Sequence, residues 1–265
     1  MAWIQVVVLA IVQGLTEFLP VSSSGHLVLV PVVFDWTDQG LVFDIAVHFG
    51  TLSAVCVYFR ADLRKLINGG LEALGGNVSS GSSQLAIGIA LATVPAAIAG
   101  LLFADWIEVN LRSPLVVVAT LSGYCVLLAL ADRLGTQSRD IGTVTIRDAI
   151  LIGLAQALAL VPGTSRSGIT ITAAMAMGLK RQDAARFSFL LSVPVILLAT
   201  LYKALSVIMS GETIAWGTLA IAAVISAIVA YLSIEFFMRF VNAIGLVPFA
   251  IYRLVLAGVI LYVFV

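Results

Sequence analysis

The sequence predicts an all-α integral membrane protein: a polytopic helical bundle of two inverted repeats, with six spanning helices plus two re-entrant helix hairpins. Three observations predict it. The 265 residues are 61% hydrophobic and only 11% charged, whereas soluble domains run near 45–50% apolar and about 25% charged. Six apolar segments approach the roughly 20 residues needed to cross about 30 Å of hydrocarbon. Two further apolar regions are each broken in the middle by a cluster of Pro, Gly and Ser.

Taken in order, residues 2–34 carry one formal charge, Glu17, and are interrupted by Leu19-Pro20-Val21-Ser22-Ser23-Ser24-Gly25. About 14 apolar residues on one side of such a break make roughly 21 Å of helix, too short to span comfortably and suited to a re-entrant hairpin. This stretch lacks a basic leader region, and Glu17, Pro20 and the serines stand where a small-residue cleavage site would fall, so it is expected to remain in the mature protein. Spans follow at 41–59, 85–104 and 114–131. The second broken region, 149–179, is interrupted by Pro162-Gly163-Thr164-Ser165-Arg166-Ser167-Gly168, and spans at 187–209, 214–237 and 247–265 complete the chain. Cys56 and Cys125 lie in apolar runs without CxxC spacing and read as small buried hydrophobes. A formal charge of zero gives no sign of a nucleic-acid partner.

The broken regions resemble each other. A shift of 143 positions lays Gln13 on Gln156, Leu15 on Leu158, Ser22 on Ser165, Ser24 on Ser167 and Gly25 on Gly168; Pro20 meets Pro162 after a one-residue slip. A second echo sets Val94-Pro95-Ala96-Ala97-Ile98 against Val247-Pro248-Phe249-Ala250-Ile251. The expected organisation is one membrane domain, 1–265, with halves near 1–135 and 136–265. Three spans separate the copies, which inverts them. Arg60, Arg64, Lys65, Arg133, Arg139, Arg147, Lys180, Arg181, Arg186 and Arg239 then share one side. Arg112 falls on the other, with Asp35, Asp38, Asp105, Glu108 and Glu212. The positive-inside rule makes the first side cytoplasmic, so the hairpins enter from opposite faces with tips near the midplane. Inverted repeats with broken helices are also a transporter plan.

Glu17 is the first candidate, because a carboxylate at membrane depth costs about 2.5–3.5 kcal/mol. Gln13, four residues earlier, shares its helix face, and the pair suits a hard divalent cation alongside phosphate oxygens. The alternative is a glutamate hydrogen-bonded to its neighbours. Arg166 lies in a Gly- and Ser-rich break before a helix, where a planar guanidinium, free N–H groups and a helix N-terminus converge on an anion. Its alternative is a ligand-free salt bridge to Glu17. Ser22-Ser23-Ser24-Gly25-His26 brings hydroxyls next to an imidazole, the parts of a nucleophile–base pair, although serines also cap helices. His48 reads as a packing or supporting residue that Asp44, one turn earlier, would orient. Arg253 is a further charge within a span; for Lys203 and Glu235 snorkelling to the interface is sufficient.

Those motifs give the sequence a resemblance to the undecaprenyl-diphosphate phosphatase family, bacterial membrane proteins linked to bacitracin resistance. It is carried by Gln13 through His26, by Pro162 through Thr170, by Phe187-Ser188-Phe189-Leu190-Leu191 and by Pro248-Phe249-Ala250-Ile251-Tyr252-Arg253. The resemblance implies dephosphorylation of a C55 isoprenyl diphosphate, which recycles the lipid carrier of cell-wall synthesis. It also implies a divalent metal, Mg2+ or Ca2+, and a bacterial plasma-membrane enzyme whose site faces the extracytoplasmic side. Carried over residue by residue, it makes Glu17, Ser23, His26 and Arg166 catalytic. Ser23 becomes a nucleophile with His26 as acid–base partner. Gly163, Thr164, Ser165, Ser167, Gly168 and Thr170 bind substrate, and Gln13 and Glu17 hold metal. Some members have glutamate where this chain has Gln13. A covalent phosphoserine and direct attack by water both stay open, as does a homodimer. The rival reading is a lipid transporter or flippase, which binds a diphosphate without cleaving it.

Overall fold

The first broken region folds as a hairpin of α1 (Trp3–Thr16) and α2 (Ser23–Val33), followed by α3 (Leu41–Tyr58), α4 (Arg60–Leu74), α5 (Gly81–Asn110) and α6 (Pro114–Leu134). The second is a hairpin of α7 (Ile146–Ala157) and α8 (Arg166–Ala176), followed by α9 (Arg181–Ser210), α10 (Trp216–Ile244) and α11 (Val247–Phe264). This computed structural model describes residues 2–111, 113–210 and 215–264, and no strand occurs among them. Arg112 and Glu212, two charges used for orientation, lie outside the described residues, as does the side chain of Glu108.

Helix ends follow local chemistry. Ser113 caps α6 through the Val116 N–H, with Pro114 at the first helical position, where its missing N–H costs nothing. Thr145 and Asp148 form a reciprocal capping box on α7. Gly245, at φ +71°, closes α10.

Six helices are long and apolar enough to cross a membrane: Leu41–Tyr58, Gly81–Ile107, Pro114–Leu134, Arg181–Leu205, Trp216–Ile244 and Val247–Phe264. They match the six segments expected, and their outer faces, such as Leu101, Leu130, Val224 and Val255, are exposed and apolar. The four hairpin helices, of 14, 11, 12 and 11 residues, reach only about 17–21 Å. One element was not expected. α4 carries Arg60, Asp62, Arg64 and Lys65, and an ion pair from Asp62 to Arg186 ties it to α9.

Packing relates the halves by one exchange of partners. α1 packs on α10 as α7 packs on α5, while α3 meets α9 and α6 meets α11. The equivalence α1/α7, α3/α9, α5/α10, α6/α11 accounts for all four. Both crossings are close: a Cβ on Gly14 would lie 2.8 Å from the Ser226 carbonyl, and one on Gly153 would lie 2.6 Å from the Ala92 carbonyl, although the 143-residue shift sets Gly14 on Ala157 and Gly153 on Ala10. Small residues at these crossings let backbones touch, which is how helices associate without a hydrophobic drive. The echo between Val94–Ile98 and Val247–Ile251 does not mark equivalent positions: Pro95 is inside α5, whereas Pro248 is in the first turn of α11.

The largest of three core clusters draws on both halves, with Phe18, Val55 and Phe59 packed with Phe187, Phe189 and Phe237. Ion pairs Arg181–Asp132, Arg139–Asp148, Lys180–Asp140 and Arg186–Asp62 hold the basic end of the bundle. Asp132 also accepts the Leu246 N–H, so it ties α6 and α9 to the turn before α11.

Candidate active site

Each hairpin turns on a serine in the left-handed region, Ser22 at φ +73° and Ser165 at φ +69°. Residues with a β-carbon rarely adopt this conformation, and such strain concentrates at functional sites. Ser22 Oγ accepts the Gly25 N–H at 3.4 Å and Ser165 Oγ accepts the Gly168 N–H at 3.2 Å, which starts α2 and α8 identically. The two turns touch. Ser167 Oγ donates to the Leu19 carbonyl at 2.9 Å, and the Gly163 N–H donates to Ser24 Oγ at 3.4 Å.

Glu17, one turn beyond Gln13 at the end of α1, is the hub. Its Oε1 accepts from Arg166 Nη2 at 2.9 Å. Its Oε2 accepts from Ser23 Oγ at 2.9 Å and from Gln13 Nε2 at 3.0 Å. The Glu17 and Arg166 side chains are 8% and 13% exposed, and Arg166 lies over the Phe18 ring, so this charge pair is largely withdrawn from solvent. Arg166 Nη1 and Thr164 Oγ1 are buried without a partner among the described residues. The main-chain N–H groups of Ser165, Arg166 and Ser167, at the positive end of α8, are likewise not spent on any protein acceptor among the described residues. Buried donors left unpaired are costly. Gathered at a helix N-terminus, they make an anion site.

The other expected residues take the following places. Ser23 and His26 are not paired: Ser23 gives its hydroxyl proton to Glu17. His26 turns back along α2 so that Nδ1 bonds the Ser22 carbonyl at 2.8 Å, and Nε2 meets the Tyr252 hydroxyl at 2.7 Å with the rings stacked. A carbonyl can only accept, so Nδ1 carries a proton, and when the ring is neutral Nε2 accepts from Tyr252. Thr170 braces α8 from behind the loop, fully buried, with Oγ1 on the Arg166 carbonyl at 2.8 Å and on Ser188 Oγ at 2.7 Å. Gly163, at φ +87°, and Gly168 are buried in the turn itself, and Ser165 and Ser167 hydroxyls lie 3.4 Å apart. Asp44 holds His48 through its main-chain carbonyl at 2.7 Å, while its carboxylate accepts from Gln39. Lys203 and Glu235 are exposed.

Three residues given lesser parts by the sequence belong to this neighbourhood. His48 Nε2 lies 3.8 Å from Glu17 Oε2, and its side chain is one-third exposed. Tyr252 holds His26. Arg253, fully buried, donates to the loop carbonyls of Gly163 and Thr164. The signal for Arg253 was present, since a charge inside a span marks function by default.

The residues present fit a hard divalent cation. Gln13 turns its amide N–H to Glu17, and its Oε1 is buried without a partner among the described residues, so a free amide oxygen lies one turn from the Glu17 carboxylate. Among the described residues no group of three or more His, Cys, Asp or Glu forms a metal cage. Few protein ligands completed by substrate phosphates is the usual mode for Mg2+.

Comparison with known proteins covers nearly the whole chain. The family described as "Bacitracin resistance protein BacA" matches residues 6–259. The chain is 53% identical over 266 residues to an undecaprenyl-diphosphatase of Hahella chejuensis, covering all of both chains. It is 50% identical over 264 residues to one of Nitrosococcus oceani, again covering both chains entirely. With one of Teredinibacter turnerae it shares 51% over 260 residues, 98% of each.

Proposed function

The chain belongs to the bacitracin resistance protein BacA family, and we propose that the meeting of the two hairpin turns, at the Glu17–Arg166 contact, is where it hydrolyses undecaprenyl diphosphate. The protein is a multi-pass membrane undecaprenyl-diphosphatase: it releases the terminal phosphate as inorganic phosphate and returns undecaprenyl phosphate, recycling the lipid carrier of cell-wall synthesis. The observation that carries the assignment of the site is the Glu17–Arg166 contact beside unspent donors.

The lipid tail lies among apolar helices while the diphosphate reaches the two hairpin turns. Arg166, through its unpaired Nη1, and the N–H groups of Ser165, Arg166 and Ser167 neutralise charge on the phosphoryl oxygens, which is most of what phosphoryl transfer requires. Ser23 Oγ, whose proton already points at Glu17, attacks the terminal phosphorus. The bridging P–O bond breaks, the lipid monophosphate leaves, and Glu17 takes the serine proton. Water then attacks the phosphoserine, releasing inorganic phosphate, and the proton returns to Ser23. Glu17, rather than His26, is the base in this scheme, because His26 faces Ser22 and Tyr252. Glu17 and Gln13 Oε1 would hold a divalent metal, Mg2+ or Ca2+, which when bound supplies further charge neutralisation at the diphosphate.

The membrane is the bacterial plasma membrane, with the site open to the extracytoplasmic side. The basic end of the bundle, bound by its ion pairs, is then cytoplasmic. The test is phosphate release by purified protein in detergent, with undecaprenyl diphosphate and magnesium or calcium. Release supports the enzyme; no release, together with lipid translocation in reconstituted vesicles, identifies a flippase instead.

A further inference from the structure

Arg253 on α11 is fully buried, and it forms no ion pair among the described residues. Its Nη2 donates to the Thr164 carbonyl at 2.9 Å and the Gly163 carbonyl at 3.1 Å, with the Thr120 carbonyl at 3.5 Å. Its Nε and Nη1 have no partner among the described residues. A Cβ on Gly168 would lie 2.7 Å from Nη1, so the guanidinium sits directly beneath the first turn of α8.

This placement is electrostatically adverse for the protein alone. Arginine keeps its charge when buried, and a cation at a helix N-terminus opposes the helix dipole. Arg253 and Arg166 bring two positive charges to the turn, and Glu17 returns one negative. The balance is positive even before the dipole of α8 is counted. An anion resolves it.

The contacts also set backbone direction. In a trans peptide the carbonyl and the following N–H point opposite ways. Turning the Gly163 and Thr164 carbonyls towards Arg253 therefore turns the N–H groups of Thr164 and Ser165 away from it. Thr164 spends its N–H on the Val161 carbonyl at 3.3 Å, and that of Ser165 is left with those of Arg166 and Ser167.

We infer that Arg253 is a positioning residue for the diphosphate: it fixes the 163–168 turn from behind and contributes the positive charge that the bound anion balances. The inference rests on the phosphatase reading of the same site. The probe is a polyprenyl methylenediphosphonate, which cannot be cleaved at its bridging carbon, compared with the monophosphonate of the same chain.

Arg253→Met is expected to bind the diphosphonate at least about tenfold more weakly than wild type, with a smaller loss for the monophosphonate. Arg253→Lys keeps the charge without the planar fork. It is expected to restore most of that affinity while kcat stays at least about tenfold down, so KM and kcat separate. Equal diphosphonate affinity in wild type and Arg253→Met overturns the inference. If Arg253→Met does not fold, a folded Arg253→Lys with wild-type kcat overturns it. Binding is read without turnover, so a wild-type chain that released no phosphate would overturn the phosphatase reading alone.

Discussion

Arg166 Nη2 and Glu17 Oε1 meet at 2.9 Å although 149 positions separate them in the chain. The contact joins the two hairpins, and it leaves the other guanidinium nitrogen and the first N–H groups of α8 unspent. Removing one partner of such a buried pair strands the other charge, at a cost of about 3–5 kcal/mol.

Ser23 is expected to carry the transferred phosphoryl group. Acid-quenched protein, caught during turnover, should give a Ser23 phosphopeptide by mass spectrometry, and Ser23→Ala should lose at least about 100-fold in rate. Full activity in Ser23→Ala would assign the attack to water.

Tyr252→Phe keeps the ring stacked on His26 and deletes the hydroxyl that its Nε2 accepts. One hydrogen bond of about 1 kcal/mol corresponds to a roughly fivefold loss of activity. A loss as deep as that of Glu17→Gln would place the proton path through His26 instead.

The six spans and both hairpins were legible because apolar run length and Pro/Gly/Ser breaks are local properties of a chain. The meeting of Glu17 with Arg166 was legible because opposite charges at membrane depth seek one another. α4 was not, since it is charged rather than apolar and is held in place by Asp62 reaching Arg186. The partners of Ser23 and His26 were not legible: three residues apart on a helix, their side chains bond Glu17 in one case and Ser22 and Tyr252 in the other. His48 beside Glu17 and Arg253 beneath Gly168 are consequences of tertiary packing, which adjacency in sequence does not report.

Gly14→Leu and Gly153→Leu should each destabilise the fold by about 1–3 kcal/mol, because a side chain at either position meets the backbone of α10 or α5. Thermal unfolding in detergent measures this. Unchanged midpoints would refute the close approach of α1 to α10 and of α7 to α5.

Asp148 lies at the start of α7, outside the spans. Burial pushes its carboxyl up, but hydrogen bonds from Arg139 and from Thr145 outweigh it and hold its pKa below the usual carboxylate range. A depressed carboxyl stabilises the fold at neutral pH and loses that contribution as pH falls through its folded value. Asp148→Asn should therefore melt earlier than wild type at neutral pH, with the gap narrowing below about pH 4. A gap that widens in acid would contradict the assignment.

The most direct test of the Glu17–Arg166 centre is a double-mutant cycle on single-turnover phosphate release from undecaprenyl diphosphate, with wild type, Glu17→Gln, Arg166→Gln and the double variant. Groups acting as one unit are strongly non-additive. Each single variant should fall at least about 100-fold, and the double variant should be little worse than either. A double loss equal to the product of the single losses, or a single variant within a few-fold of wild type, would contradict it.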